Sequence, residues 1–219
     1  MSTHTIASTT ELAFPYPGLR PFKPRESHLF FGRDEHVFEM FSLLEDHRFL
    51  AVVGASGSGK SSLVLAGLLP RLRDEGLLNQ RDGAWRFLIM RPGNSPLDAL
   101  ADACQQPDSV MDTTLAQGVL YGGDPVMTRV VLESGPKGLI RVLADARVPE
   151  DDNILLLVDQ FEELFRFAGA DTSVDSAETL LQRRNESLQF VAMLLETARQ
   201  TERPVHVVLT MRTDFIGDC

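Results

Sequence analysis

Residues 54–61 read Gly-Ala-Ser-Gly-Ser-Gly-Lys-Ser, and this stretch decides the fold. It matches the pattern G-x-x-x-x-G-K-[ST], a loop whose backbone N–H groups surround a chain of phosphates. The apolar run at 49–53 enters the loop, and residues 62–66 leave it with helical character, which is the context that the pattern requires. The partial positive charge at the start of that helix adds to the attraction for an anion. The stretch therefore predicts binding of a nucleoside triphosphate rather than a chance turn before a helix.

Each residue type in this phosphate loop has a separate task. The glycines let the backbone turn tightly and approach the phosphates. The lysine places a positive charge beside the β- and γ-phosphate oxygens, and the serine after it offers its hydroxyl to Mg²⁺. The candidate nucleotide-binding residues of the loop and the first helical turn are Gly54, Ala55, Ser56, Gly57, Ser58, Gly59, Lys60, Ser61 and Ser62.

The composition limits the classes of function that the chain can have. Its 219 residues suit one large domain, and its net charge of -10 argues against a nucleic-acid surface built on general basicity. No apolar stretch approaches the roughly 18 residues of a membrane span, and no basic segment followed by an apolar one marks a secretory signal. Two widely separated cysteines, Cys104 and Cys219, favour a reducing, cytoplasmic environment over a disulfide framework.

Strand and helix patterns alternate along the chain after a polar leader at 1–13, which we expect to be disordered. Short apolar runs predict strands at 49–53, 85–90, 154–158 and 205–210. Apolar residues at helical spacing predict helices at about 33–48 and 185–199, with shorter pieces through 95–150. The helix after the phosphate loop is expected to reach about residue 69, where Pro70 kinks it. This order predicts a three-layer α/β domain of the P-loop NTPase kind over 14–219, with a parallel sheet.

Acidic residues follow the most apolar strand, at the edge of the sheet where ligands of parallel α/β folds gather. Asp159 comes directly after 154–158 and is placed to hold Mg²⁺ together with Ser61. Glu162 and Glu163 follow three and four positions later, within reach of an attacking water. Spacing does not decide which of the two orients that water; we favour Glu163, with Glu162 as a solvated or salt-bridged neighbour. The alternative is an acidic first turn of a helix without a catalytic task.

Arg212 ends the fourth predicted strand. In a sheet of this topology the fourth strand lies beside the strand that enters the phosphate loop, so Arg212 is expected to face the γ-phosphate. A fixed guanidinium there would distinguish a triphosphate from a diphosphate through charge-assisted hydrogen bonds. The alternative is an ion pair with Asp214 at the surface.

Several longer strings occur in the chain in a fixed order. They are Tyr-Pro-Gly-Leu-Arg-Pro-Phe at 16–22, Leu-Phe-Phe-Gly-Arg at 29–33, Ala-Gly-Leu-Leu-Pro at 66–70, Val-Asp-Gln-Phe-Glu-Glu-Leu-Phe at 158–165 and Arg-Thr-Asp-Phe at 212–215. Together with the phosphate loop, they resemble the STAND class of signalling ATPases, and specifically its bacterial branch called novel STAND. The resemblance spans residues 16–219.

The resemblance implies an ASCE-type parallel sheet and a division of tasks within the site. Phe31, Gly32 and Arg33 would lie against the adenine and ribose of ATP. Asp159 would hold Mg²⁺, the glutamates after it would assist hydrolysis, and Arg212 would sense the γ-phosphate. The resemblance also implies a slowly hydrolysing switch, closed and monomeric with ADP, and open and self-associating with ATP and a sensed ligand. C-terminal sensor repeats such as WD40 or TPR usually accompany such an ATPase domain.

The sequence ends shortly after the fourth predicted strand, where relatives continue with a fifth strand, a helical lid and a winged helix. We therefore expect a truncated ATPase domain, incomplete at its C-terminus, in which the first strand is an open apolar edge. Weak nucleotide affinity and poor solubility of the isolated chain would follow.

Other functions use the same kind of loop. A small-molecule kinase or phosphotransferase needs an acceptor pocket and a mobile basic lid, and the 95–150 region is not notably basic. A GTPase needs the motif Asn/Thr-Lys-x-Asp to recognise guanine, and this motif does not occur in the sequence, which favours ATP. A non-catalytic scaffold that binds nucleotide is a further alternative.

Overall fold

The computed structural model describes residues 17–78, 80, 82–105, 124–168, 176–201 and 203–218, so the predicted leader at 1–13 lies outside the described residues. The helices are α1 (Asp34–Asp46), α2 (Lys60–Ser62), α3 (Leu69–Glu75), α4 (Pro96–Gln105), α5 (Pro125–Glu133), α6 (Gly138–Asp145), α7 (Glu163–Ala168) and α8 (Ala177–Arg199). The strands are β1 (Phe49–Gly54), β2 (Trp85–Met90), β3 (Asn153–Val158) and β4 (Val205–Arg212). A π-helical turn, Leu63–Leu68, joins α2 to α3, and 3-10 turns occupy Pro24–Leu29 and Thr213–Asp218. None of the helices in these ranges is long and apolar enough to cross a membrane.

The four strands form one parallel sheet in the order β1-β4-β3-β2. As predicted, β4 lies beside β1, the strand that enters the phosphate loop. The register pairs Gly54 with Arg212 and Val158 with Leu209, so the carboxyl ends of these strands meet at one edge of the sheet. The predicted mixed α/β fold with a parallel sheet is confirmed, and it is compatible with a P-loop NTPase.

Two apolar clusters cover the two faces of the sheet. On one face, α1 and the helix after the phosphate loop contribute buried residues such as Leu44 and Leu72. On the other face, α4, α5, α6 and α8 contribute residues such as Leu97 and Phe190. All residues of β3 are buried, and 154–158 alternate between the two clusters, which confirms the prediction from this continuous apolar run.

The helix after the phosphate loop continues past Pro70 to Glu75, beyond its predicted end. Within the π-helical turn the hydrogen bonds span five residues instead of four, and the N–H of Leu69 donates to the carbonyl of Val64. Pro70 has no N–H to donate, so it follows this wider turn without leaving a donor unpaired. The apolar pattern of the sequence does not reveal such a local change of hydrogen bonding.

The last long helix, α8, begins at Ala177 rather than at the predicted residue 185. Ser176 caps its N-terminus, because its Oγ accepts a hydrogen bond from the N–H of Thr179 at 3.2 Å. The first turns of α8 carry mostly polar residues on their exposed side, which hides the helix from a search for an apolar stripe.

Candidate functional site

The phosphate loop between β1 and α2 depends on glycines in backbone conformations that other residues avoid. Gly57 has a φ of 74° and Gly59 has a φ of 86°, and both values lie in the left-handed region that disfavours side chains. A Cβ atom added to Gly54 would lie 2.9 Å from Ser58 Oγ. The loop therefore forms a cradle of accessible backbone that side chains at these positions would strain or fill.

Lys60 begins α2 and folds its side chain back over the phosphate loop. Its Nζ donates hydrogen bonds to the carbonyl oxygens of Gly54 at 2.9 Å and Ala55 at 2.8 Å. These two carbonyls hold the ammonium group against the cradle. A phosphate oxygen would offer the ammonium group a charged and therefore stronger acceptor than either carbonyl.

Asp159 is the buried centre of the site. Its side chain is 3% exposed, and it directly follows Val158, which the register of β3 with β4 pairs with Leu209, the residue before Thr210. Oδ1 of Asp159 accepts hydrogen bonds from Ser61 Oγ at 2.5 Å and from Thr210 Oγ1 at 2.8 Å. Oδ2 faces the guanidinium of Arg91, whose Nη2 lies 3.0 Å away. The structure thus brings together Ser61 and Asp159, the two predicted metal ligands.

A cavity of about 520 Å³ opens above the phosphate loop, and we name it the central cavity. Residues 17–22, which we name the N-terminal strap, line one side of it. The strap is tied to the start of the loop helix, because the N–H of Phe22 donates to Ser62 Oγ at 3.1 Å. The other residues that line the central cavity include Lys60, Ser61, Arg91, Gln160, Glu162, Thr210 and Arg212. The volume lies within the range of small-molecule sites.

Glu162 and Glu163 face different neighbours. Gln160, with a φ of 61°, turns the chain sharply after β3, and Glu162 returns toward the end of β4. Glu162 is buried, it lines the central cavity, and its Oε2 accepts a hydrogen bond from the N–H of Arg212 at 3.4 Å. Glu163 instead accepts a hydrogen bond from the N–H of Gly93 at 3.0 Å, beyond the end of β2. Of the two, Glu162 lines the central cavity and Glu163 does not; which of them orients an attacking water stays a prediction.

Arg212 ends β4 and lines the central cavity. Its Nη2 donates to the carboxylate of Asp214, and its guanidinium carbon lies 5.5 Å from the centre of the Phe215 ring. The hydrogen bond from Arg212 lowers the pKa of Asp214. Arg212 Nε is buried without a hydrogen-bond partner. The surface ion pair that the sequence offered as an alternative is present, and the same residue also lines the central cavity.

A second cavity, of about 460 Å³, shares Phe22 with the central cavity. Phe31 and Arg33 line this second cavity, and Phe31 is 79% exposed. Arg33 Nη2 donates to the carbonyl of Ser58 in the phosphate loop at 3.3 Å. Gly32 lies between them with a φ of 77°. The structure therefore places the predicted base-contacting residues directly beside the phosphate loop.

Three contributors to the central cavity were not assigned from the sequence. The N-terminal strap belongs to a Pro-rich string that carried no chemical reason to approach the phosphate loop. Thr210 had a signal, because it is a polar residue inside the apolar strand β4. Arg91 also had one, because it directly follows β2 and so lies at the same edge of the sheet as Asp159.

The oxygen atoms of Ser61 and Asp159 fit a magnesium ion. Mg²⁺ prefers hard oxygen ligands, and at nucleotide sites it takes one or two carboxylates and completes its shell with water and phosphate oxygens. Within the described ranges, no group of three or more His, Cys, Asp or Glu side chains is arranged to hold a metal by itself. The donor set therefore suits a metal that is bound together with a nucleotide.

The parallel sheet and the glycine-lined loop define an α/β protein compatible with the P-loop NTPase fold. Residues 15–219 match the family model Novel STAND NTPase 1, and the chain belongs to this family. The family predicted from the sequence strings is thereby confirmed. No curated protein and no solved structure matches the chain.

Proposed function

We propose that the chain binds ATP with Mg²⁺ and hydrolyses it slowly, as the switch domain of a signalling protein. The observation that carries this proposal is the 2.5 Å hydrogen bond between Ser61 Oγ and Asp159 Oδ1. It joins the end of the phosphate loop to the end of β3, beneath a cradle of backbone N–H groups. Membership in a family of STAND NTPases supports nucleotide binding in a signalling context.

The residues around the two cavities divide the binding of ATP between them. The backbone of the phosphate loop and the ammonium group of Lys60 would hold the β- and γ-phosphates, aided by the N-terminus of the helix that follows. The exposed ring of Phe31 offers a stacking surface for the adenine, and Arg33 lies at the same cavity. The triphosphate would therefore occupy the central cavity, and the base would occupy the second one.

Ser61 and Asp159 would hold Mg²⁺, which when bound neutralises negative charge on the phosphate oxygens. The buried position of Asp159 fixes its carboxylate through Thr210 as well as Ser61. These two hydrogen bonds keep the carboxylate of Asp159 oriented toward the metal site, so it need not be ordered again each time a metal binds.

Glu162 and Arg212 are suited to hydrolysis of the γ-phosphate. The oxygen of a water molecule would form a bond to the γ-phosphorus while the bond to the ADP oxygen breaks, and Glu162 would take the proton from that water. Arg212, whose Nε has no hydrogen-bond partner in the protein, would donate a hydrogen bond to an oxygen on which negative charge accumulates. ADP and phosphate are the products. Self-association and C-terminal sensor repeats in a longer protein stay predictions.

Removal of the Lys60 ammonium group tests the proposal. We expect Lys60→Ala to lower the affinity for a fluorescent ATP analogue at least about tenfold, or roughly 1.4 kcal/mol. Lys137→Ala is the matched control, because Lys137 is 61% exposed and lies at the start of α6, far along the chain from the loop. Fluorescence titration in the presence of Mg²⁺ measures both variants. A Lys60→Ala protein that binds as tightly as the wild type would refute the assignment of the phosphate loop.

A further inference from the structure

Arg91 brings a cation to the buried carboxylate of Asp159, and none of the tasks above uses it. Its Nη2 and Nε lie 3.0 Å and 3.1 Å from Asp159 Oδ2. The two partners differ in accessibility, since the side chain of Asp159 is 3% exposed and that of Arg91 is 50% exposed. Arg91 also lines the central cavity. The carboxylate that is suited to Mg²⁺ is therefore already paired with a half-exposed positive charge.

The neighbouring residues fix the position of the main chain at Arg91. The N–H of Asp159 donates to the carbonyl of Met90 at 2.8 Å, which keeps the ends of β2 and β3 aligned. Pro92 disfavours helical conformations for the residue before it and so keeps Arg91 extended. The N–H of Gly93 donates to Glu163 at 3.0 Å on the other side. The guanidinium is therefore the part of Arg91 that can change position.

The charges at Asp159 set up a competition. A buried carboxylate needs a compensating charge, because its desolvation is costly. The hydroxyls of Ser61 and Thr210 donate to Oδ1, and Arg91 compensates the charge at Oδ2. A divalent cation at the same carboxylate would repel the guanidinium and would replace it as the source of positive charge. The half-exposed side chain of Arg91 can then turn toward the central cavity.

We propose that Arg91 is a resident counter-cation that Mg²⁺ displaces from Asp159. In the metal-free protein Arg91 stabilises the buried carboxylate. When Mg²⁺ binds, it competes with Arg91 for Asp159, and this competition raises the Mg²⁺ concentration that tight binding of nucleotide requires. Arg91 is thus a positioning residue that acts through Asp159. The inference rests on the proposed binding of nucleotide with Mg²⁺ at this site.

A magnesium titration with mant-ADP, a fluorescent ADP analogue, tests the displacement. We expect Arg91→Gln to lower the Mg²⁺ midpoint for mant-ADP binding at least threefold, because the metal no longer competes with a fixed charge. Arg91→Lys keeps the charge without the planar two-nitrogen contact, so its midpoint should lie between those of Arg91→Gln and the wild type. In EDTA without nucleotide, Arg91→Gln should melt at a lower temperature than the wild type, since Asp159 loses its counter-charge.

Arg73→Gln is the matched control, because the side chain of Arg73 is 42% exposed and pairs with Asp74 on the surface of α3. It should keep the wild-type midpoint and melting temperature. A midpoint that is unchanged or raised in Arg91→Gln overturns displacement while the proposed function stands. If Arg91→Gln does not fold, the midpoint of Arg91→Lys decides by the same rule. A wild-type chain that binds no mant-ADP at any Mg²⁺ concentration overturns the proposed function and this inference with it.

Discussion

At the scale of single residues, the adjacent side chains of Glu162 and Glu163 face different neighbours. Their carboxylates face opposite flanks of β3, one toward Arg212 at the end of β4 and the other toward Gly93 after β2. In the sequence the two acids look equivalent, because the left-handed turn of the backbone at Gln160 leaves no pattern in the neighbouring residues. The central cavity receives only the first of the two in the described structure.

The two glutamates can be separated by measurement. We expect Glu162→Gln to slow ATP turnover by about 10²-fold or more, since it removes the carboxylate that would take the proton from water. Glu163→Gln serves as the matched control and should retain turnover within a few-fold, with a small loss of stability from its bond to Gly93. Phosphate release at saturating ATP and Mg²⁺ measures both. Unchanged turnover in both variants would remove the hydrolytic assignment of this pair.

His206 gives a pH dependence of stability that is independent of the nucleotide. Burial, and secondarily the charge of Arg48, lowers the pKa of His206 to about 4. The unfolded chain binds a proton near the ordinary value of 6.5, so between these values the unfolded state holds more protons than the folded state. The contribution of neutral His206 to the free energy of unfolding is therefore complete above pH 6.5, and it is lost as the pH falls toward the pKa of His206 in the folded state. At pH 5 the loss would reach up to about 2 kcal/mol.

Urea denaturation at pH 7 and pH 5 measures this loss. His206→Gln removes the titrating imidazole, so its free energy of unfolding should fall less between the two pH values than that of the wild type. His36→Gln, at an exposed position on α1, is the control for loss of a histidine at the surface. Equal losses in the wild type and in His206→Gln would contradict the role of His206.

At the scale of elements, the sequence predicts features that a short stretch of residues carries by itself, but not contacts between distant segments. The apolar run of β3 and the glycine spacing of the phosphate loop each carry their structure within a few residues, and both were predicted. The N-terminal strap lies at the central cavity through a contact between Phe22 and Ser62, which are distant in sequence. Pairings of this kind depend on packing, and without a pattern of their own they cannot be inferred from either segment alone.

The helix after the phosphate loop packs closely on α1, and Gly67 makes this contact possible. A Cβ atom at Gly67 would lie 2.6 Å from Val37 Cγ2 and 3.4 Å from Phe30 Cε1. Because valine is stiff at χ1, it cannot easily move aside. We expect Gly67→Ala to lower the free energy of unfolding by about 1–3 kcal/mol, despite the better helix propensity of alanine.

A double-mutant cycle with urea denaturation isolates the clash at Gly67. Val37→Ala makes room for the new methyl group, so the double variant should lose less stability than the sum of the two single variants. Gly217→Ala is the matched control, because an added Cβ there meets nothing within 4 Å. Strict additivity in the cycle, or an unchanged midpoint in Gly67→Ala, would contradict the close approach.

At the scale of the whole molecule, the sheet is covered unevenly. Within the described part of the chain, β1 lies at one edge and pairs with β4 alone. Leu50 and Val52 pack against the cluster around α1, whereas Phe49 and Val53 on the opposite face are 37% and 39% exposed. An edge with unpaired backbone groups and apolar side chains is a template for pairing with another chain.

A charge placed on this edge tests whether β1 mediates self-association of the chain. Ala51 is exposed on the same face of β1 as Phe49, and a lysine on an edge strand opposes edge-to-edge pairing. We expect sedimentation velocity to show a concentration-dependent increase in mass for the wild type, and we expect Ala51→Lys to reduce that increase. Ala192→Lys adds the same charge at an exposed position of α8 and should leave that increase unchanged. If both lysines act equally, net charge rather than the open edge controls association, and the edge has no special part in it.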